Sequence, residues 1–233
     1  MSATELFIPL SKIPQFDPRT VPVVHADTDL PAVAAPRLKA EFLRARFVKP
    51  PVWQPEVLAE SWFSDRKPVP ASVLIAIVQR ARPTVLLTQR TAHLSTHSGQ
   101  IAFPGGKQDA TDEDLSATAL REAREEVGLQ AEFVQILGTL PIYATGTGFT
   151  ITPVVALVRE GFTLVRNAGE VDDVFEVPLE FLMNPANHRR HVFEWQGMRR
   201  EWLSMPYQDG HAERFIWGAT AGMLRNFYRF LSA

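Results

Sequence analysis

The stretch "FPGGKQDATDEDLSATALREAREEVGL", Phe103 to Leu129, decides the fold. Its second half has a helical period: at about 100° per residue, Leu115, Ala119, Leu120, Ala123 and Val127 share one apolar arc. Thr111 or Asp112 is placed to cap the start, and Gly128 to close the end in the left-handed conformation. Glu122, Glu125 and Glu126 gather beside that arc, on the rim of the buried face. Like charges three and four residues apart repel, and the C-terminal end of a helix disfavours negative charge, so this helix lacks a positive partner. A solvated acidic face softened by Arg121 and Arg124 accounts for such a string taken alone. The glycine pair upstream points elsewhere. Gly105 and Gly106 let the backbone turn tightly and expose carbonyls, and hard cations such as Mg²⁺ or Mn²⁺ take carboxylate and carbonyl oxygens together. The missing charge is then a divalent metal, with phosphate as its natural third party.

The rest of the chain frames this reading. With 233 residues, 45% of them hydrophobic and 21% charged, the chain is long enough for one good-sized domain with an extension, or for two small domains, the first being the expectation. A formal net charge of −2 without basic runs leaves no electrostatic footprint for nucleic acid or an anionic membrane. The absence of cysteine removes disulfides, thiolate catalysis and cysteine-ligated zinc, and fits a reducing compartment. The start, "MSATELFIPLSKIPQF", lacks a cationic segment followed by an apolar core, and "VLIAIV" at Val73 to Val78 is too short to span a bilayer. A soluble, cytoplasmic protein is expected.

Residues 1–69 are proline-rich and carry one plausible helix, "APRLKAEFLRARF", which reads as an arm wrapping a domain. From residue 70 to 233 the pattern is that of a mixed-sheet α/β domain. "ASVLIAIVQ", "PTVLLTQR", "ITPVVALV" and "FTLV" read as strands, "HVFEWQGMRREWLSMPY" as a hairpin turning at Gly197, "ERFIWG" as a further strand and "ATAGMLRNFYRFLS" as a closing helix. "HRRH", His188 to His191, reads as a basic loop before a strand. The closing aromatics Trp217, Phe227, Tyr228 and Phe230 read as packing rather than a base-stacking platform. "GGK" is no phosphate-binding loop of the Walker type, because the glycine spacing and the following Ser or Thr are absent.

The glycines, the arginine and the glutamates together resemble the signature of the Nudix hydrolases, commonly written G-x5-E-x7-R-E-U-x-E-E-x-G-U, U being bulky and apolar. Arg121, Glu122, Glu125, Glu126, Gly128 and Leu129 match, and Glu113 falls on the upstream glutamate. Ala123 is small for a U position, and Gly106 lies one residue farther from Glu113 than the pattern has it. The segment "LLTQRTAHLSTHSGQIAFPGGKQD", Leu86 to Asp109, is similar to the one that marks the coenzyme A pyrophosphatase branch of that family. Leu86, Leu87, Thr88, Arg90, Gly99, Phe103, Pro104, Gly105 and Gly106 agree, whereas Ser95 stands where the branch has arginine. "VFEVPLEFLMNPANHR" and "IWGATAGML" also look like this branch.

The resemblance implies a Nudix-type α/β/α sandwich and metal-dependent hydrolysis of a nucleoside diphosphate derivative, here coenzyme A or its thioesters. It assigns Glu122, Glu125 and Glu126, with a Gly105 or Gly106 carbonyl, to Mg²⁺ or Mn²⁺, and Arg121 to orienting that cluster. The general base is Glu170, in "NAGEVDDVFEVP" after a flexible "NAG", or Glu125. Substrate contacts fall to Arg90, His97, Gly105 and Lys107. A nucleotide-sized substrate, no nucleic acid, no membrane and either a monomer or a homodimer complete the expectation. Two alternatives stand beside it: a Nudix diphosphatase for ADP-ribose or another dinucleotide, and a Nudix module that binds a nucleotide without cleaving it.

Overall fold

The computed structural model describes residues 13, 16–57, 67–91 and 99–233. In chain order these form β1 (Val23–Ala26), α1 (Ala40–Val48), β2 (Val69–Val78), β3 (Thr84–Arg90), β4 (Ile101–Ala102), β5 (Gly105–Lys107) and α2 (Leu115–Val127). There follow β6 (Val134–Thr139), β7 (Tyr143–Ala144), β8 (Phe149–Val158), β9 (Val171–Pro178), α3 (Leu179–Leu182), β10 (Arg189–Trp195), β11 (Met198–Asp209), β12 (Ala212–Trp217) and α4 (Gly218–Ser232). No helix among the described residues is long and apolar enough to cross a membrane.

The centre is a mixed sheet in which β2 and β8 run parallel over their whole length, while β3, β5, β6 and β7 join them antiparallel. β3 carries β4 on one side and β9 on the other. Both faces of the β2–β8 pair are buried, which is why both read as near-continuous apolar runs. Successive residues still divide by parity: Leu74, Ala76, Val78, Val154, Ala156 and Val158 pack toward α2, whereas Ile75, Ile77, Val155 and Leu157 pack toward α4 and the arm. Helices on both faces of a mixed sheet make the expected α/β/α sandwich. The small Ala119 and Ala123 let α2 lie close on β2, with both fully buried. Ala123 is thus small because it sits against the sheet. Val127 and Leu129 complete that contact, at about 1.5–3 kcal/mol for each buried aliphatic side chain.

A second sheet, antiparallel throughout, has the order β1-β10-β11-β12. Its β10–β11 hairpin closes through Gln196 and Gly197 at φ 49° and 80°, as a two-residue turn of the primed kind requires. The arm supplies its edge strand β1 and sends Val33, Leu38 and Leu43 into the main core. The single helix expected at "APRLKAEFLRARF" is two pieces: a 3₁₀ turn at Ala35–Leu38, then α1, separated by an extended Lys39. The strand expected at "FTLV" does not form. That segment instead crosses the end of α2, where the Val165 N–H donates to the Val127 carbonyl, one of the carbonyls a helix end leaves without a partner.

A buried charge cluster fastens the arm. Arg225 on α4 donates to Glu56 at 2.7 Å and lies 2.9 Å from Asp27, and Arg190 grips Asp27 with two hydrogen bonds. Burial favours the neutral acids at Asp27 and Glu56, yet the arginines outweigh it and hold both below the usual carboxylate range. His188 donates from Nε2 to the Leu182 carbonyl and accepts at Nδ1 from Arg225. Burial pushes it down to about 4. "HRRH" is therefore no loop: Arg189, Arg190 and His191 lie in β10, and His188 and His191 are buried. Asn226 completes the fastening, accepting from the N–H groups of Glu56 and Val57 and donating to the Val57 carbonyl.

Candidate active site

Strand β5 lies along β2, with Gly105 opposite Val73 and Gly106 opposite Ser72. A Cβ at Gly105 would stand 2.4 Å from the Ser72 carbonyl oxygen, and one at Gly106 would stand 2.5 Å from a Glu122 carboxylate oxygen. The glycines are required by close approach rather than by a left-handed turn. They bring backbone directly against the carboxylates of α2.

That helix starts later than the capping signals suggest: Asp114, not Thr111 or Asp112, is the N-cap, accepting from the Ala117 N–H at 2.7 Å. Gly128 closes it at φ 72° as expected. Asp112 is freed for another task. Arg121 donates to both its oxygens at 2.9 and 3.0 Å, to Glu122 at 2.9 Å, to Glu125 at 3.0 Å and to the Lys107 carbonyl at 2.9 Å. The two-pronged hydrogen bond from Arg121 holds the Asp112 carboxyl well below the usual range and keeps the guanidinium firmly charged. The acid facing the signature arginine is therefore Asp112, and Glu113 is exposed. Asp112 stands six positions after Gly106. The extra residue lies between this acid and Arg121, not between the glycine and the acid.

Glu126 has a different environment. It is 3% exposed, accepts from the Gly105 N–H at 3.2 Å and has Arg90 at 3.6 Å. Desolvation raises its pKa to about 7, with Glu122 and Glu170 adding to the rise and Gly105 and Arg90 opposing it. Burial also pushes Glu122 up, against the pull of Arg121. Asp112, Glu122, Glu125, Glu126 and Glu170 outnumber the two arginines among them, Arg90 and Arg121. The donor set fits a hard divalent cation, because carboxylates whose charge is disfavoured by burial, as at Glu122 and Glu126, are relieved by added positive charge. Among the described residues no three such side chains already form a cation cage. Arg121 holds Glu122 and Glu125, while Glu126 turns to Gly105 and Arg90.

Glu170 comes from the far side of the chain. Asn167 donates its N–H to the Glu126 carbonyl at 2.8 Å and accepts from the N–H groups of Glu170 and Val171, while the Glu170 carbonyl accepts from Thr91 at the end of β3. The "NAG" read as flexible is a hydrogen-bonded turn fixed to α2 and β3. Lys107 is exposed, with its ammonium 5.6 Å from the centre of the Phe149 ring. His97, like Ser95, lies outside the described residues. Sequence reasoning missed Asp112 and Asn167. The count back from Arg121 favours Glu113 for the first, and nothing local to "NAG" announces its partner on α2.

The sequence model of the NUDIX domain family matches residues 68–213. The uncharacterized Nudix hydrolase NudL of Citrobacter koseri is 44% identical over 156 residues, covering 66% of this chain and 79% of that protein. Its counterpart in Salmonella paratyphi B is 43% identical over the same shares. Among solved structures, a C. elegans Ap4A hydrolase is 25% identical with a TM-score of 0.41, covering 51% of this chain and 85% of that one. The family match spans more than half of the chain and includes the glycine pair, the whole of α2 and the Glu170 turn, so this chain belongs to the Nudix hydrolase family, which acts on pyrophosphate bonds.

Proposed function

We propose that this chain hydrolyses the diphosphate of coenzyme A or its thioesters, in the cytoplasm, to 3′,5′-ADP and 4′-phosphopantetheine or its acyl form. The observation that carries the reading is the segment Leu86 to Gly106. Its matched apolar residues Leu86, Leu87 and Phe103 are core, and its matched polar positions Arg90 and Gly105 both meet Glu126. Two of the residues matched to the branch thus lie against Glu126, which supports the reading.

Glu122, Glu125 and Glu126, with a Gly105 or Gly106 carbonyl, hold Mg²⁺ or Mn²⁺. The bound cation supplies charge neutralisation on the diphosphate and a more acidic water. Arg121 orients the glutamates from its seat on Asp112 and competes with the cation for Glu122 and Glu125. Arg90 carries a buried Nε with no hydrogen-bond partner among the described residues, a donor suited to a phosphate oxygen. Gly105, Lys107 and His97 complete the substrate contacts. Water attacks one phosphorus, the P–O bond of the bridge breaks, and Glu170 takes the water proton, with Glu125 as the second nominee for that role.

A panel of coenzyme A, acyl-CoA, ADP-ribose, NADH and dinucleoside polyphosphates, with Mg²⁺ or Mn²⁺ and products identified by mass, tests this. Cleavage of coenzyme A into the two named halves is expected. If the branch's arginine meets an anionic part of coenzyme A, its replacement by Ser95 weakens binding by about 1.5–3 kcal/mol, and Ser95→Arg should lower KM. Efficient hydrolysis of ADP-ribose with coenzyme A left intact rejects the branch in favour of the dinucleotide reading. No turnover of any compound, with tight binding of one, favours the non-catalytic module.

A further inference from the structure

The turn that carries Glu170 is built around one residue, Asn167. Asn167 Oδ1 accepts from the Gly169 N–H at 3.1 Å, and its Nδ2 donates to Glu170 Oε1 at 3.4 Å. Its backbone joins the same turn to α2, by the 2.8 Å bond to the Glu126 carbonyl, and closes it, by bonds from the N–H groups of Glu170 at 3.0 Å and Val171 at 2.8 Å. The far side is held by Thr91, whose N–H donates to the Glu170 carbonyl at 3.0 Å. Arg166 donates to the Val171 carbonyl, also at 3.0 Å. With both flanks fixed, the freedom left to Glu170 is that of its own side-chain torsions, and the amide of Asn167 acts on the end of that side chain.

We propose that Asn167 is a positioning residue, whose side-chain amide holds the Glu170 carboxylate by engaging one oxygen and leaves the other to accept a proton. The inference rests on the reading of Glu170 as the base. Two features of the turn support it. The Asn167 N–H bond to the Glu126 carbonyl keeps the turn, and Glu170 with it, beside the glutamate end of α2. The amide is also fixed where it stands, because Oδ1 is already committed to Gly169. An aspartate at 167 keeps that acceptor and lacks the donor, so the two halves of the side chain can be tested separately.

The test measures kcat and KM in saturating Mg²⁺ for the native chain, Asn167→Ala, Asn167→Asp, Glu170→Gln and the Asn167→Ala, Glu170→Gln double variant. Coenzyme A is the substrate, or ADP-ribose where coenzyme A does not turn over. Asn167→Asp should keep the melting temperature and the stabilisation by Mn²⁺ of the native chain, yet lower kcat about tenfold with KM nearly unchanged, as should Asn167→Ala. Glu170→Gln should lower kcat roughly a hundredfold, and adding Asn167→Ala to it should cost nothing more. A native kcat in Asn167→Asp beside a slow Asn167→Ala would mean the side chain only caps the turn, and equal losses from Asn167→Ala with or without Glu170 would mean it acts elsewhere. Either result overturns the positioning role and spares the base. A native kcat in Glu170→Gln removes the base reading itself, and this inference with it.

Discussion

Two buried charge clusters sit on opposite sides of the central sheet, and they are built on opposite principles. Behind α4, Asp27 and Glu56 face Arg190 and Arg225, with His188 kept neutral, and both carboxyls are driven below their ordinary range. Beside α2, acids outnumber bases and burial drives Glu122 and Glu126 upward. The first cluster is complete with the residues the chain supplies, and it fastens the arm. The second is left short of positive charge, which is the condition under which a cation and an anionic substrate bind with gain. Matched buried charge marks a structural joint here, and unmatched buried charge marks the candidate active site.

The contrast is sharpest where charge is removed. Arg225→Met leaves Asp27 and Glu56 without their buried partner and should cost about 3–5 kcal/mol, read as a large drop in denaturation midpoint, with kcat of the folded fraction retained. Stability unchanged in that variant would break the comparison. Glu126→Gln should do the reverse: kcat falls roughly a hundredfold or more while the metal-free protein melts no lower than the native chain. Asp112→Asn removes the seat of Arg121 and should lower kcat about tenfold, whereas Glu113→Gln, exposed and off the cluster, should behave as the native chain does.

A smaller effect separates the clusters by pH. The folded value of Glu126, about 7 against 4.5 for an ordinary glutamate, is raised, so its contribution to stability is present below 4.5 and lost as pH rises through 7. His188 runs the other way: its folded value of about 4 lies below 6.5, so its contribution is present above 6.5 and lost as pH falls through 4. Between 6.5 and 7, and just beyond, the Glu126 contribution dominates. Without divalent metal, the melting temperature should fall across that window, by about 2–4 °C for each kcal/mol lost. Mg²⁺ or Mn²⁺ should restore it, and Glu126→Gln should flatten the profile. A metal-free profile that rises there would show Glu126 is already well compensated.

Much of this protein is written in short-range pattern. The period of α2, its closing glycine, the Gly105 and Gly106 pair and the apolar strands β2 and β8 are legible in sequence because each depends on neighbours within a few residues: on side-chain spacing, on the absence of a Cβ, or on an apolar run. So is the crowding of Glu122, Glu125 and Glu126, which follows from helical geometry alone. What the sequence could not supply are pairings between distant parts of the chain. Asp27 and Glu56 meet residues on β10 and α4, turning an apparently basic "HRRH" loop into buried structure, and the "FTLV" segment finds the end of α2 in place of a strand partner. The choice of Asp112 over Glu113 depends on which way each side chain leaves the turn before Asp114. The tertiary structure alone sets the charge state of Glu126, because desolvation depends on what covers a group, and its cover comes from Gly105, Arg90 and the Asn167–Glu170 turn.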